Sequence, residues 1–192
     1  MNSRIKEVIA ASIATKQAVL TDEALLTRLE QVVAACVQAF RNGGKVLFCG
    51  NGGSAADAQH LAAELSGRYY LDREPLYAEA LHVNTSYLTA VANDYDYDEV
   101  YARMVRAAGR AGDVLIAMST SGNSENVLRA IADAKKLDMI VVGMTGESGG
   151  KMRDECDILL NVPSQDTPRI QEAHMLLGYL LCELIEKQVF EE

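Results

Sequence analysis

The segment CGNGGSAADAQHLAAELSGRY, Cys49 to Tyr69, holds the first residues with chemistry to offer. It opens as a glycine loop around Asn51, Gly52 and Gly53, and continues as an amphipathic stretch with His60 four residues before Glu64. A spacing of four puts both side chains on one helix face, where they are able to clamp one ion. The same spacing serves an ordinary hydrogen-bonded surface pair, which is the commoner use; a position just behind a ligand loop adds weight to the metal. Gly50, Gly52 and Ala55 also follow the G-x-G-x-x-A order of a dinucleotide loop. A dinucleotide site needs an acid at the end of the next strand, but YAEALHVN ends in Asn84, and Asp72 lies in a charged loop before it. No G-K-[ST] follows either, which removes a P-loop.

A second loop, STSGNSEN from Ser119 to Asn126, gathers the hydroxyls of Ser119, Thr120, Ser121 and Ser124 just before a helix. Free N–H groups and the positive end of the dipole at a helix start attract anions. Hydroxyls with such N–H groups suit a phosphate monoester without needing a lysine. An ordinary N-cap at Asn123 or Ser124 is the plain alternative, but a cap needs one such residue. A third cluster, NDYDYDE from Asn93 to Glu99, reads as a turn and helix start with acids complementing the dipole. Asn93 and Asp94 are equally suited to hydrogen-bond sugar hydroxyls, and spacing does not decide. His174 lies on an apolar helix, where a core histidine satisfied by a carbonyl is expected; His82 ends a strand without an evident partner.

These loops need a frame. Residues 1–42 read as two helices, with Ile5, Val8, Ile9 and Ile13 at helical spacing, a break and N-cap at Thr21-Asp22-Glu23, and a stop at Gly43-Gly44. From Lys45 the pattern changes to the short apolar runs KVLFCG, YAEALHV, DVLIAMST, MIVVGMTG and CDILLNVP, separated by helical stretches. Near-continuous apolar strands between helices predict a parallel sheet covered on both faces. Ligands then bind beyond the carboxyl ends of the strands, after Gly50, Met118 and Val162. The last stretch, Thr167 to Phe190, predicts a long helix, apolar around most of its circumference through Met175, Leu176, Leu177, Leu180, Leu181, Leu184 and Ile185. Burial against a symmetry mate is the easier way to cover it.

The chain has 192 residues, enough for one domain with a substantial core. With 49% hydrophobic residues it is not a disordered segment, and a net charge of −9 argues against a nucleic-acid partner. No apolar window approaches the roughly 20 residues of a membrane span, so no membrane partner is expected. The N-terminal stretch, with Glu7 and Lys16, is not a signal peptide. Cys36, Cys49, Cys156 and Cys182 are scattered through apolar runs as reduced core thiols are, which predicts a cytoplasmic protein.

Taken in order, CGNGGSAADAQH, NDYDYDEVYAR, AMSTSGNSENVL, TGESGGKM and VPSQDTPRIQEAH resemble the sugar-isomerase (SIS) domain, and more narrowly the sedoheptulose-7-phosphate (phosphoheptose) isomerases. The resemblance spans nearly the whole chain. It implies an α/β fold in three layers, a five-stranded parallel sheet flanked by helices. The single SIS domain would cover 1–192, with 1–42 a helical extension used in oligomerisation and 43–192 the core with its C-terminal helix. It also implies a homotetramer with sites at subunit junctions, and one zinc per subunit. The implied activity is an aldose–ketose isomerisation of a phosphorylated seven-carbon sugar, sedoheptulose 7-phosphate to D-glycero-D-manno-heptose 7-phosphate, the first step of ADP-heptose synthesis for lipopolysaccharide. By position the metal ligands would be His60, Glu64 and Gln171. The substrate would touch Asn51, Gly52, Gly53, Glu64, Asn93, Asp94, Ser119, Thr120, Ser121, Ser124 and Gln171, with Arg68 as a further contact.

Converting a ketose to an aldose moves a proton between adjacent carbons through an enediolate. Glu64 is the expected general base, and a zinc ion would polarise the carbonyl. One position departs from the pattern. Family members carry a second histidine eight residues after the metal-binding glutamine, as ligand and acid–base partner, where this chain has Tyr179. A phenol is a poor zinc ligand, so the departure implies a loosened metal site and reduced activity, with Tyr179 left as a weak acid. It also keeps a second class open. A non-enzymatic relative, a tetramer that binds the bacterial replication-initiator protein, resembles this chain in NGxSAAxAQH and RIQE-x-HML. That relative lacks both the glutamate and the second histidine, whereas this chain keeps Glu64, which favours the enzyme.

Overall fold

Alternation inside the apolar runs decides the architecture. In the computed structural model, which describes residues 2–191, five strands form: β1 Val46–Gly50, β2 Ala78–Ala80, β3 Val114–Met118, β4 Ile140–Thr145 and β5 Ile158–Asn161. Every pairing is parallel, in the order β2-β1-β3-β4-β5. Side chains alternate across a strand, so Val46, Phe48, Val114, Ile116, Met118, Val142 and Met144 join one buried cluster. Leu47, Cys49, Leu115, Ala117 and Val141 join the other. Both faces being apolar is why the runs show no polar alternation.

Among the described residues seven α-helices accompany the sheet: α1 Asn2–Thr21, α2 Glu23–Arg41, α3 Gly53–Ser66, α4 Thr85–Asp94, α5 Val100–Ala108, α6 Glu125–Lys136 and α7 Thr167–Phe190. Helices α2, α3 and α7 cover the first face of the sheet, and α4, α5 and α6 the second. The three-layer reading therefore holds, as do the break at Asp22, whose carboxylate caps Leu25 N–H at 2.9 Å, and the five strands. No helix among the described residues is long and apolar enough to cross a membrane.

Two sequence expectations take a different form. The stripe of Ile5, Val8, Ile9 and Ile13 is helical but exposed, because α1 packs mainly along α7 and α2. It is fastened to α7 by polar bonds instead, Arg169 donating to Val8 carbonyl at 2.8 Å and Ser12 to Glu172 at 2.6 Å. Helix α7 buries one side, including Ile170, Leu177, Leu181 and Ile185, while Met175, Leu176, Leu180 and Leu184 remain only partly covered.

Candidate active site

Strand β1 connects through α3 to β2 on one side, and β3 through α6 to β4 on the other. The chain direction thus diverges between β1 and β3, which is where an open parallel sheet forms its crevice. Two loops meet there, one after Gly50 and one after Met118. They are tied by a reciprocal amide pair: Asn51 Nδ2 donates to Asn126 Oδ1 and Asn126 Nδ2 to Asn51 Oδ1, each at 2.9 Å. Asn126 is buried, and its Oδ1 also accepts Val127 N–H. Gly52 turns the first loop at φ 55°, and α3 starts without a side-chain cap, leaving its first N–H groups available.

In the second loop Ser119 Oγ lies 3.0 Å from Ser124 Oγ and 3.5 Å from Ser121 Oγ. Ser124 occupies the N-cap position of α6 but its hydroxyl does not cap. The plain N-cap explanation therefore fails, and the hydroxyl stays with the other serines. Gly122 makes the loop possible: at φ 67° its missing Cβ would stand 2.1 Å from the Gly149 carbonyl oxygen. Asn51, Ser54, Thr167 and Gln171 join the serines around a cavity of about 250 Å³. A neighbouring cavity of about 390 Å³ shares Thr120 and Ser121 but carries Glu147, whose carboxylate repels an anion. No carboxylate among the described residues lines the serine cavity.

Helices α3 and α7 lie close together because two glycines leave room. A Cβ on Gly178 would stand 2.5 Å from Leu61 Cδ1, and one on Gly53 would stand 2.4 Å from Gln171 Nε2. This contact brings Tyr179 to His60. Their Oη and Nε2 are 2.9 Å apart, and the same nitrogen is 3.2 Å from Glu64 Oε1. The expectation that His60 and Glu64 share a face is met. The Tyr179 ring is edge-on to His60 at 5.6 Å and stacked on Tyr69 at 6.0 Å. One turn before His60 on the same face is Asp57, whose carboxyl is raised above its ordinary value by burial, with His60 pulling the other way.

A buried ion pair holds the far end of this contact. Glu186 of α7 accepts backbone N–H groups from Tyr69, Tyr70 and Leu71 at 3.2, 2.8 and 2.8 Å, and Arg73 Nε at 2.9 Å. Arg73 in turn donates to the carbonyls of Glu64, Leu65, Gly67 and Glu74. Burial alone would raise the Glu186 carboxyl; the backbone donors and the guanidinium outweigh it and hold the group below its ordinary value. The cation closes the C-terminal end of α3 while the carboxylate fixes the loop that carries Tyr69.

Other expected residues stand apart. Asn93 and Asp94 end α4, exposed and bonded to each other at 2.8 Å, and neither lines the serine cavity. Arg68 is exposed beyond the end of α3. His174 is the expected core histidine, bonded to the Thr145 carbonyl at 3.0 Å and pushed by burial down to about 4. His82 lies just past β2 with a buried, unpartnered Nδ1. Sequence reasoning missed Asn126, Asp57, Tyr97 and the Glu186–Arg73 pair. Tyr97, whose hydroxyl is 3.4 Å from Asn51 Oδ1, sits in a cluster that sequence reasoning read only for its acids and amides.

The zinc implied by the resemblance meets a donor set that does not suit it. Zinc takes imidazole, thiolate or carboxylate ligands, three at the least. Here one imidazole and one carboxylate meet a phenol, and that phenol is hydrogen-bonded at the His60 nitrogen that faces Glu64. Gln171 rests against Gly53, seven residues before His60, or roughly 10 Å of helix rise away. Among the described residues no group of three or more His, Cys, Asp or Glu side chains is arranged to hold a metal.

The same arrangement has known relatives. A sequence model of the SIS domain matches residues 7–146. The phosphoheptose isomerase of Aneurinibacillus thermoaerophilus is 48% identical over 190 residues, 99% of this chain and 96% of that one. Among solved structures, the phosphoheptose isomerase of Neisseria gonorrhoeae superposes with a TM-score of 0.89 at 46% identity, covering 96% of this chain and 98% of that one. That of Francisella tularensis reaches 0.91 at 39% identity, covering 96% and 97%. With its parallel sheet, serine loop and His60–Glu64 face in this setting, the chain belongs to the SIS-domain family and, within it, to the phosphoheptose isomerases.

Proposed function

We propose that the enzyme interconverts sedoheptulose 7-phosphate and D-glycero-D-manno-heptose 7-phosphate, with the phosphate on Ser119, Thr120, Ser121 and Ser124 and with Glu64 as the base. The observation that carries this is Ser124, an N-cap residue whose hydroxyl faces Ser119 rather than its own helix, at the sheet edge where the helix that carries Glu64 starts. Asn51, Gly52, Gly53 and Gln171 supply amides and close backbone approach beside that seat. Asn93, Asp94 and Arg68 remain proposed sugar contacts on the family resemblance alone.

Glu64 Oε1 engages His60, and Oε2 meets no donor among the described residues, so one oxygen is free to take a proton from carbon. Abstraction at C1 of the ketose leaves an electron pair that becomes the C1=C2 bond, while the carbonyl pair moves onto O2. Glu64 then returns its proton to C2. A positioned carboxylate contributes about 10²–10⁴-fold to such a transfer. O2 needs a donor as charge develops, and the side chains beside Glu64 are His60 and Tyr179. Retention of Glu64 favours this chemistry over a purely binding tetramer.

Other features agree with the expected setting. The partly covered side of α7 and the exposed stripe of α1 support a homotetramer in which residues 1–42 take part. Four free thiols, none in a disulfide, suit the cytoplasm. A place at the start of ADP-heptose and lipopolysaccharide synthesis is what family membership suggests. Incubating the purified protein with sedoheptulose 7-phosphate and following the aldose by NMR tests the substrate; absence of aldose sinks it. Glu64→Gln keeps the shape and removes the base, so turnover should fall at least about 10²-fold.

A further inference from the structure

Resting on the isomerase activity proposed above, we infer that Tyr179 is its catalytic acid, standing at the His60 nitrogen where a metal would otherwise bind, and that the chain turns over without resident zinc. Tyr179 Oη lies 2.9 Å from His60 Nε2, and Glu64 Oε1 is 3.2 Å from the same nitrogen. In the tautomer that carries its proton on Nε2, the imidazole donates to the phenol oxygen, and the phenol's own proton is then free to point outward. Tyr179 is 37% exposed, open to solvent on that side.

The ring is built into position. It is edge-on to His60, stacked on Tyr69, and follows Gly178, whose lack of a side chain lets α7 approach Leu61. The proton balance closes without another reactant. As the C1–H bond breaks, its proton goes to Glu64 Oε2, the electron pair forms C1=C2, and the C2 carbonyl pair becomes a lone pair on O2. O2 takes the proton of Tyr179 Oη, and the phenolate is held by the His60 N–H. In the second half Glu64 protonates C2, the O1–H pair becomes the C1 carbonyl, and the O1 proton restores Tyr179.

Wild type, Tyr179→Phe and Tyr179→His should be purified, stripped with a chelator, and compared. Zinc per chain is measured by mass spectrometry and by calorimetric titration with zinc chloride, beside kcat and KM. Wild type should take up far less than one zinc per chain and keep its rate after stripping. Tyr179→Phe, which retains the ring and its stacking, should lower kcat about 10²-fold with KM little changed. Tyr179→His adds a second imidazole and should bind zinc close to one per chain. Tight stoichiometric zinc in the wild type with activity lost on stripping would overturn the inference, as would a phenylalanine variant at the wild-type rate. If wild type forms no aldose, the proposed activity and the acid role fall together. The zinc titrations of wild type and Tyr179→His still judge the metal question by themselves.

Discussion

Replacing Glu186 by glutamine removes one charge from a buried pair and almost no volume. Both partners are buried, with side-chain exposures of 3% for Arg73 and 2% for Glu186. A glutamine can keep its oxygen toward Tyr70 and Leu71, but its NH₂ then faces the N–H of Tyr69 and the Nε–H of Arg73, donor against donor. Losing two hydrogen bonds at a charged acceptor costs about 1.5–3 kcal/mol each. Breaking a buried pair from one side costs about 3–5 kcal/mol by direct comparison, so the two routes agree. Urea unfolding at pH 7 should show this loss, while Glu183→Gln, which loses its pair with the exposed Lys187, should lose no more than about 1 kcal/mol. The gap must also depend on pH. The Glu186 carboxyl is held below its ordinary value when folded, so its stabilisation is complete above the unfolded glutamate pKa and is lost as pH falls through the folded one. Wild type and Glu186→Gln should therefore converge in acid. A glutamine variant within about 1 kcal/mol of wild type at pH 7, or a gap constant down to acid pH, would refute the reasoning.

Ser119→Ala, Ser121→Ala and Ser124→Ala should each weaken sugar-phosphate binding by about 1–3 kcal/mol in calorimetric titration; unchanged affinity in all three would move the phosphate elsewhere. Light scattering at micromolar concentration should report four chains per particle, and a clean monomer would contradict the assignment of α1 and α7 to an interface. Gly178→Ala inserts a methyl against Leu61 and should cost about 1–3 kcal/mol of stability, with a fall in kcat as Tyr179 moves from His60. Wild-type kcat in that variant would show that the close contact is not needed.

The five strands were legible because a doubly covered sheet leaves an apolar run as its trace, and each of the five runs became a strand. The serine loop was legible because its hydroxyls exceed what a cap needs. Pairing of His60 with Tyr179 was not, since 119 residues separate them and no local pattern records the contact. The α1 stripe gave the right period but not its cover: periodicity shows that a face is apolar, not which surface meets it. Glu186 falls within the predicted last helix, Thr167 to Phe190, where nothing in the pattern singles it out. Its burial follows from the four donors gathered by the Tyr69–Arg73 segment, which composition does not reveal. Asn126, polar among the inward positions of α6, was a readable anomaly because a buried amide needs a partner.

The contact between α3 and α7 also orders events in time. His60 and Glu64 leave the ribosome early, but Tyr179 and Glu186 belong to the last helix, after β5 has ended at Asn161. Contacts closed over such separations form late, because the chain entropy between them must be given up first. The sheet and its serine loop have all their strands before the last helix has been made. That helix brings Thr167 and Gln171 to the serine cavity, Leu177, Leu181 and Ile185 to the core, and Tyr179 to His60. Its synthesis therefore finishes the core and the candidate site in one step.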